Sequence, residues 1–254
     1  MAEFGFHYDS IYSVDKGLWV LNVKRPILPP VISKTKKILD RHGVYYFGSE
    51  FDAVKIPVEV AWKGSTAANT QAIKRDLAAW LRPNGLKKLK FDDEPNVYYN
   101  AVLTEETEIE QVVRIGKGEI TFLCPDPFAY EDPDDVFSSA NGSITFTRKG
   151  TAESNPKIEI KGTSAAGQGY SVDLNGTVIN YTGALASGET LVLDSEYVTA
   201  YIIKADGSRV SAINDIDSLD FPITLPGVNN SLVVTPQGNA TISDVKITCR
   251  SRWY

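Results

Sequence analysis

The chain is 254 residues long, with a net charge of -6, 43% hydrophobic residues and 23% charged residues. That balance excludes a disordered tail and a chain dominated by membrane spans, and at about 100–200 residues per domain it allows one or two domains. Residues 1–130 carry 17 basic and 17 acidic side chains, so the whole acidic surplus falls beyond them, which argues for two modules and against a surface that grips nucleic acid.

Phe4–Tyr8 and Leu18–Val23 read as opening strands, with Lys24 to Pro30 as a proline-rich corner. Val31–Leu39 reads as extended, and Arg41-His42-Gly43 as a turn. Ile56, Val58, Val60 and Trp62 alternate with Pro57, Glu59, Ala61 and Lys63, the period of a half-buried strand. Pro57 has no N–H for a ladder, so this strand is expected at an edge or bulged. The period then changes. Ile73, Leu77, Trp80 and Leu81 fall on one helical face, Ser65 or Thr66 can cap the helix, and Arg82-Pro83-Asn84-Gly85 stops it. A strand ending in Leu89-Lys90-Phe91 turns through Asp92-Asp93-Glu94-Pro95-Asn96 and returns as Val97–Leu103. Ile109–Ile115 and Glu119–Cys124 read as a hairpin through Gly116-Lys117-Gly118.

The stretch Pro125–Pro133 holds three prolines and opens a switch to acidic, Ser/Asn/Gly-rich sequence, which makes it the domain boundary. No helical period appears beyond it. Strands are expected around Ile158–Ile160, Tyr170–Leu174, Leu191–Leu193, Tyr197–Ile203, Phe221–Leu225, Ser231–Thr235 and Val245–Thr248. Asn175-Gly176 is a hairpin signal, and Asp206-Gly207 and Pro226-Gly227 are turns. Many short strands with frequent turns point to a β-sandwich. The fold class is therefore mainly β. An N-terminal β-rich domain, 1–133, has one docked α-helix near 66–81 and a β-hairpin. A C-terminal β-sandwich of jelly-roll or galectin-like type, 134–254, follows.

Chemistry is sparse. His7 and His42 are the only histidines, and neither lies in a nucleophile or metal motif. Asp92, Asp93 and Glu94 form the densest carboxylate cluster, read as a solvated turn rather than a cation site. Glu105, Glu106, Glu108 and Glu110 make a second acidic run, read as an exposed face or part of a subunit interface. Gly116-Lys117-Gly118 lacks phosphate-loop spacing. Cys124 and Cys249 have no metal spacing and read as buried free thiols. Met1–Ser10 lacks the pattern of a signal peptide, and no apolar run approaches the roughly 20 residues that cross a bilayer. The expectation is no catalytic residue, no cofactor, no metal and no enzyme. Trp62, Trp80, Tyr98, Tyr99 and Tyr45-Tyr46 read as core. Tyr170, Tyr181, Tyr197, Tyr201, Trp253 and Tyr254 leave open a carbohydrate-contacting face, and with it an alternative function as a cell-wall carbohydrate-binding module of a tail or baseplate.

Taken together, Gly43-Val44-Tyr45-Tyr46-Phe47-Gly48-Ser49, the helix segment Arg75–Leu81, the hairpin Leu89–Pro95, the strand Tyr99–Leu103 and the closing Phe122–Tyr130 resemble the distal tail (Dit) proteins of long, non-contractile-tailed bacteriophages of Gram-positive bacteria. Asn155–Gly162 and Leu225–Asn229 resemble parts of that family's C-terminal sandwich. The resemblance implies a structural virion protein at the distal end of the tail, assembled in the host cytoplasm. It implies a homo-oligomer, a hexameric ring able to stack on a second ring, whose N-terminal domains form the ring and whose C-terminal sandwiches project from it. The implied partners are the tail tube protein, the tail-tip (tail-associated) protein and the tape measure protein. The ring lumen passes DNA at ejection, with no tight nucleic-acid binding and no membrane contact. A cyclic ring needs two different surfaces of each subunit to meet, and the strands around Pro57 and the 108–124 hairpin are expected to supply them.

Overall fold

The structure, a computed structural model, describes residues 4–63, 67–82, 84–104, 109–112 and 115–254. It divides into two compact units, Met1–Asp132 with Tyr254 and Pro133–Trp253.

The first unit contains β1 (Phe6–Tyr8), β2 (Ile11–Tyr12), β3 (Leu18–Val23), β4 (Val31–Lys36), β5 (Tyr45–Phe51), β6 (Val54–Lys63), α1 (Ala67–Leu81), β7 (Lys87–Phe91), β8 (Val97–Leu103), β9 (Ile109–Val112), β10 (Ile115–Cys124) and β11 (Ala129–Glu131). Its main strands run in the order β2-β1-β7-β8-β10-β6-β3, with β9 beside β10 and β11 beside β8. The central ladder joins β6 to β10 over ten residue pairs, from Lys63↔Ile115 to Val54↔Cys124. Alternation makes it a core element: Ile56, Val58, Val60 and Trp62 on β6 and Ile120 and Phe122 on β10 are all buried, one residue in two as the pleat demands. The helix lays Leu77 and Leu81 onto this core, with Ile73 and Trp80 half-buried beside them. Trp80 stacks on Phe6, with centroids 5.7 Å apart, and its indole N–H donates to the Tyr8 carbonyl at 3.1 Å. Burying Leu77 and Leu81 stabilises the docking by about 1.5–3 kcal/mol each.

Two expectations change here. First, β6 is an interior strand, flanked by β10 and β3. Pro57 sits where the β3 register ends, at Val23↔Val58; the Lys24 amide still donates to the Pro57 carbonyl at 3.0 Å, so the missing N–H forfeits only the last bond of that pairing. Second, Gly116-Lys117-Gly118 is strand, not loop. Gly116 lies opposite Trp62, and a Cβ there would stand 1.8 Å from the Trp62 ring, so the glycine makes room for the indole. The turn between β9 and β10, the caps at Ser65 and Thr66, Pro83, and Glu105, Glu106 and Glu108 lie outside the described residues.

The second unit contains β12 (Asp135–Ser139), β13 (Ser143–Phe146), β14 (Lys157–Thr163), β15 (Gly169–Leu174), β16 (Thr177–Tyr181), β17 (Thr190–Asp194), β18 (Thr199–Ile203), β19 (Arg209–Ser211), β20 (Asn230–Gln237) and β21 (Thr241–Cys249). A six-stranded sheet, β12-β21-β14-β17-β18-β19, and a four-stranded sheet, β13-β20-β15-β16, share one core. Ile158, Ile160, Leu191, Leu193, Val245 and Ile247 come from the first sheet and Tyr170, Val172, Leu174, Ile179, Tyr181 and Leu232 from the second, all fully buried. Asn175-Gly176 joins β15 to β16 with both residues at positive φ, 56° and 90°, the geometry of a type I′ hairpin turn. Phe221–Leu225 is not a strand. Only Thr224 forms a bridge, to Ser154. Cys124 and Cys249 are free and buried, and burial pushes each thiol up to about 12, far from the range of a reactive thiolate.

Candidate functional site

The carboxylates at the β7–β8 turn are structural. Asp92 accepts from the Gly5 amide and the Tyr12 hydroxyl, both at 2.7 Å. Asp93 and Glu94 both pair with Arg25, whose guanidinium lies 4.9 Å from the centre of the Phe91 ring. All three acids are thus engaged as acceptors by this unit's own groups, which is why they gather at the turn. Among the described residues no group of three or more His, Cys, Asp or Glu is placed to hold a metal ion. His7 stacks on Tyr12 at 4.6 Å, and His42 is exposed beside Gly43 in the turn after β4.

Four clustered lysines, at 34, 87, 88 and 90, are likewise engaged. Lys87 pairs with Asp9 at 3.1 Å. Lys88 and Lys90 both pair with Asp132, and Lys90 first, then Lys88, hold that carboxyl below its usual range. Lys34 pairs with Glu50 across β4 and β5. Locally neutralised lysines form a poor phosphate-binding surface.

A cleft of about 400 Å³ opens between α1 and the sheet, lined mainly by Leu18, Val60, Trp62, Leu77 and Leu81, with Lys74 and Arg82 also on its wall. Its lining is mostly apolar, and the residues that line it place no nucleophile next to a base.

The feature that stands apart is the arm formed by β4 and β5. Among the described residues these strands pair only with each other, from Val31↔Phe51 to Lys36↔Tyr45, with a register shift between Ser33 and Thr35. Every residue of β4 is exposed, and in β5 only Gly48 is half-buried. Among polar residues such as Lys34 and Lys36 it exposes many apolar ones: Val31, Ile32, Ile38, Leu39, Val44, Tyr45, Tyr46 and Phe47 all face solvent, Leu39 at 89% and Phe47 at 67%. The base is tied down by the Asp52 amide, which donates to the Pro30 carbonyl at 2.8 Å, and by Phe51 edge-on to Phe128 at 6.4 Å. The turn uses Asp40 and Gly43 at φ 58° and 83°, positions suited to Asp and Gly.

Exposed apolar side chains on a two-stranded ribbon are unusual, because an isolated ribbon is only marginally stable in water. Tyr45 and Tyr46, expected in the core, are exposed on the arm instead; beside Pro57, Ile56 and Val58 are fully buried, while Lys55 is exposed. The arm's signal was present in the apolar run Val44–Phe47, but alternation cannot say whether an apolar face meets its own core or another chain.

Residues 18–124 match the family model described as the phage tail protein RIFT-related domain, a span that holds β3 to β10, the arm and the helix. No curated protein matches the chain. Among solved structures, the chain is similar to the crystal structure of the SPP1 Dit protein, described as a paradigm of the hub adsorption apparatus in phages infecting Gram-positive bacteria. That similarity has a TM-score of 0.80 and 18% identity and covers 99% of each chain. It is also similar to a chain of the phage P2 baseplate in its activated, Ca-bound conformation, with a TM-score of 0.52 and 10% identity over 99% of this chain and 98% of that one.

Proposed function

We propose that this chain, whose N-terminal unit carries a phage tail protein RIFT-related domain and whose full length has a Dit-like fold, is the structural distal tail hub of a bacteriophage. The observation that carries the proposal is the pairing of that full-length likeness with the exposed β4–β5 arm. Such an arm has to be covered in an assembly, and a heterologous contact repeated around an axis closes a ring.

In this reading, residues 1–133 form a six-membered ring and residues 134–254 are its C-terminal sandwich domain. The ring joins the tail tube protein to the tail-tip protein, meets the tape measure protein and leaves a lumen through which DNA passes. The neutralised lysines of β7 suit a conduit, because a wall that binds phosphate would retain its cargo. The role is structural rather than enzymatic. The protein is built in the host cytoplasm and resides in the virion, at the distal end of the tail.

Light scattering together with negative-stain microscopy of the purified chain tests this. Six-fold rings, single or stacked, are expected. A monomer at every concentration, which forms no ring even with a tail-tip partner added, overturns it.

A further inference from the structure

The outer face of the six-stranded sheet in the second unit carries a polar groove of about 240 Å³. Register explains its floor. Thr248, Lys157 and Asp194 lie opposite one another on β21, β14 and β17, and Tyr201 on β18 stands two residues on from Thr199, the partner of Asp194. Side chains alternate across a sheet, so these four share the face opposite the buried Ile158, Leu193, Ala200 and Ile247.

The rim is the turn between β17 and β18. It presents Tyr197 at 72% exposed. The next residue, Val198, holds φ +49°, a conformation that β-branched residues rarely adopt and that persists only where the surroundings enforce it. Asp194 helps enforce it, accepting from the amides of Glu196 at 3.1 Å and Tyr197 at 3.4 Å. Glu196 is itself held by the Asn155 side-chain amide at 3.1 Å and lies 3.8 Å from Arg250. The Arg209 guanidinium sits 5.0 Å from the centre of the Tyr201 ring. The exposed aromatic is therefore set on a fixed turn, beside a second aromatic and an ordered array of donors and acceptors.

The lining decides the ligand class. Lys157, Arg209 and Arg250 are matched by Asp134, Asp194 and Glu196, so the groove has no cationic surplus of the kind a polyanion requires. Its polar walls do not suit an apolar ligand, which favours a mainly hydrophobic lining. Aromatic faces next to carboxylate, amide and guanidinium groups suit a molecule with flat apolar C–H faces edged by hydroxyls. We propose that this groove binds a neutral carbohydrate, with Tyr197 as the stacking platform and Glu196, Asn155 and Arg250 bonding the hydroxyls. The proposal rests on the second unit alone and stands whether or not the first unit forms a ring.

The test uses the full chain on an array of neutral hexose and N-acetylhexosamine oligosaccharides, with poly(glycerol phosphate) as the anionic arm, followed by calorimetry on the best binder. Saturable binding to a neutral glycan is expected, insensitive to added salt. It should weaken about tenfold or more in Tyr197→Ala and in Glu196→Gln, with the melting temperature of Tyr197→Ala unchanged because that side chain is 72% exposed. The proposal is overturned by an absence of neutral binding up to about 1 mM glycan, by binding that Tyr197→Ala leaves intact, or by preference for the phosphate polymer.

Discussion

Arg148 and Thr224, 76 positions apart, are locked together twice: the guanidinium Nε donates to the Thr224 hydroxyl and Nη2 to the Thr224 carbonyl, both at 2.9 Å. The remaining donors reach the Lys149 carbonyl at 2.8 Å and the Ala152 carbonyl. Thr224 in turn donates its hydroxyl to the Ser154 carbonyl at 3.0 Å. Arg148 is only 3% exposed, and burial pulls its guanidinium below the ordinary arginine range. A buried cation is tolerable when its hydrogen bonds are made, and here backbone carbonyls make them.

Replacing Arg148 by Met therefore takes the guanidinium donors from the Ala152, Lys149 and Thr224 carbonyls, of which Thr224 keeps the Ser154 amide at 3.0 Å. A loss of about 2–4 kcal/mol is expected, and Arg148→Lys should restore little of it, because an ammonium lacks the planar fork. Urea unfolding of the two variants checks this. Wild-type stability in the methionine variant would refute the latch.

Gly116→Ala places a methyl group 1.8 Å from the Trp62 ring. Trp62 is 1% exposed and cannot swing away. The expected cost is about 3 kcal/mol, at the upper end of core overpacking. Tryptophan fluorescence should report loosening of the first unit well before the second melts.

Self-association should depend on the arm. Leu39→Glu with Phe47→Glu puts charge on side chains that face solvent in the single chain, so melting should shift by no more than about 0.5 kcal/mol in stability. The assembled species should fall to monomer mass in light scattering. Intact rings in the double variant would assign assembly to another surface.

Glu159 gives the second unit a pH dependence. Burial alone would raise its carboxyl, but Lys246 and Lys157, which bridge to it across and along the sheet, outweigh burial and hold it below its ordinary value of 4.5. A depressed folded-state value means the stabilisation is complete above the unfolded value and is lost as pH falls through the folded one. Melting temperature should therefore decline below about pH 4.5, and Glu159→Gln should flatten part of that decline. An identical acid limb in the variant would rule Glu159 out.

Much of this architecture was legible in the residues. Ile73, Leu77, Trp80 and Leu81 announced one helix because their spacing fits no strand, and Asn175-Gly176 announced its hairpin because few other pairs accept two positive φ values. Three misreadings share one cause: local pattern does not reveal what lies across the fold. Gly116-Lys117-Gly118 looked like a turn because the indole it accommodates is 54 positions away, at Trp62. Tyr170 and Tyr181 were candidates for a sugar-binding face, yet both are fully buried, while Tyr197 and Tyr201 of the same group reach the groove. Tyr45 and Tyr46 looked like core because an apolar run reads the same whether or not its side chains are buried, and here they are exposed. The groove was legible only in part, since its floor depends on register among strands drawn from Lys157 to Thr248.

The arm's apolar side chains are not part of the first unit's core. In the proposed assembly, folding and association draw on different side chains of this chain. Substitutions along Val31–Phe47 would then be filtered by what the arm meets rather than by whether the polypeptide can fold. Such a segment can drift quickly and change its companion without passing through an unstable intermediate, whereas the β6–β10 ladder beside it cannot.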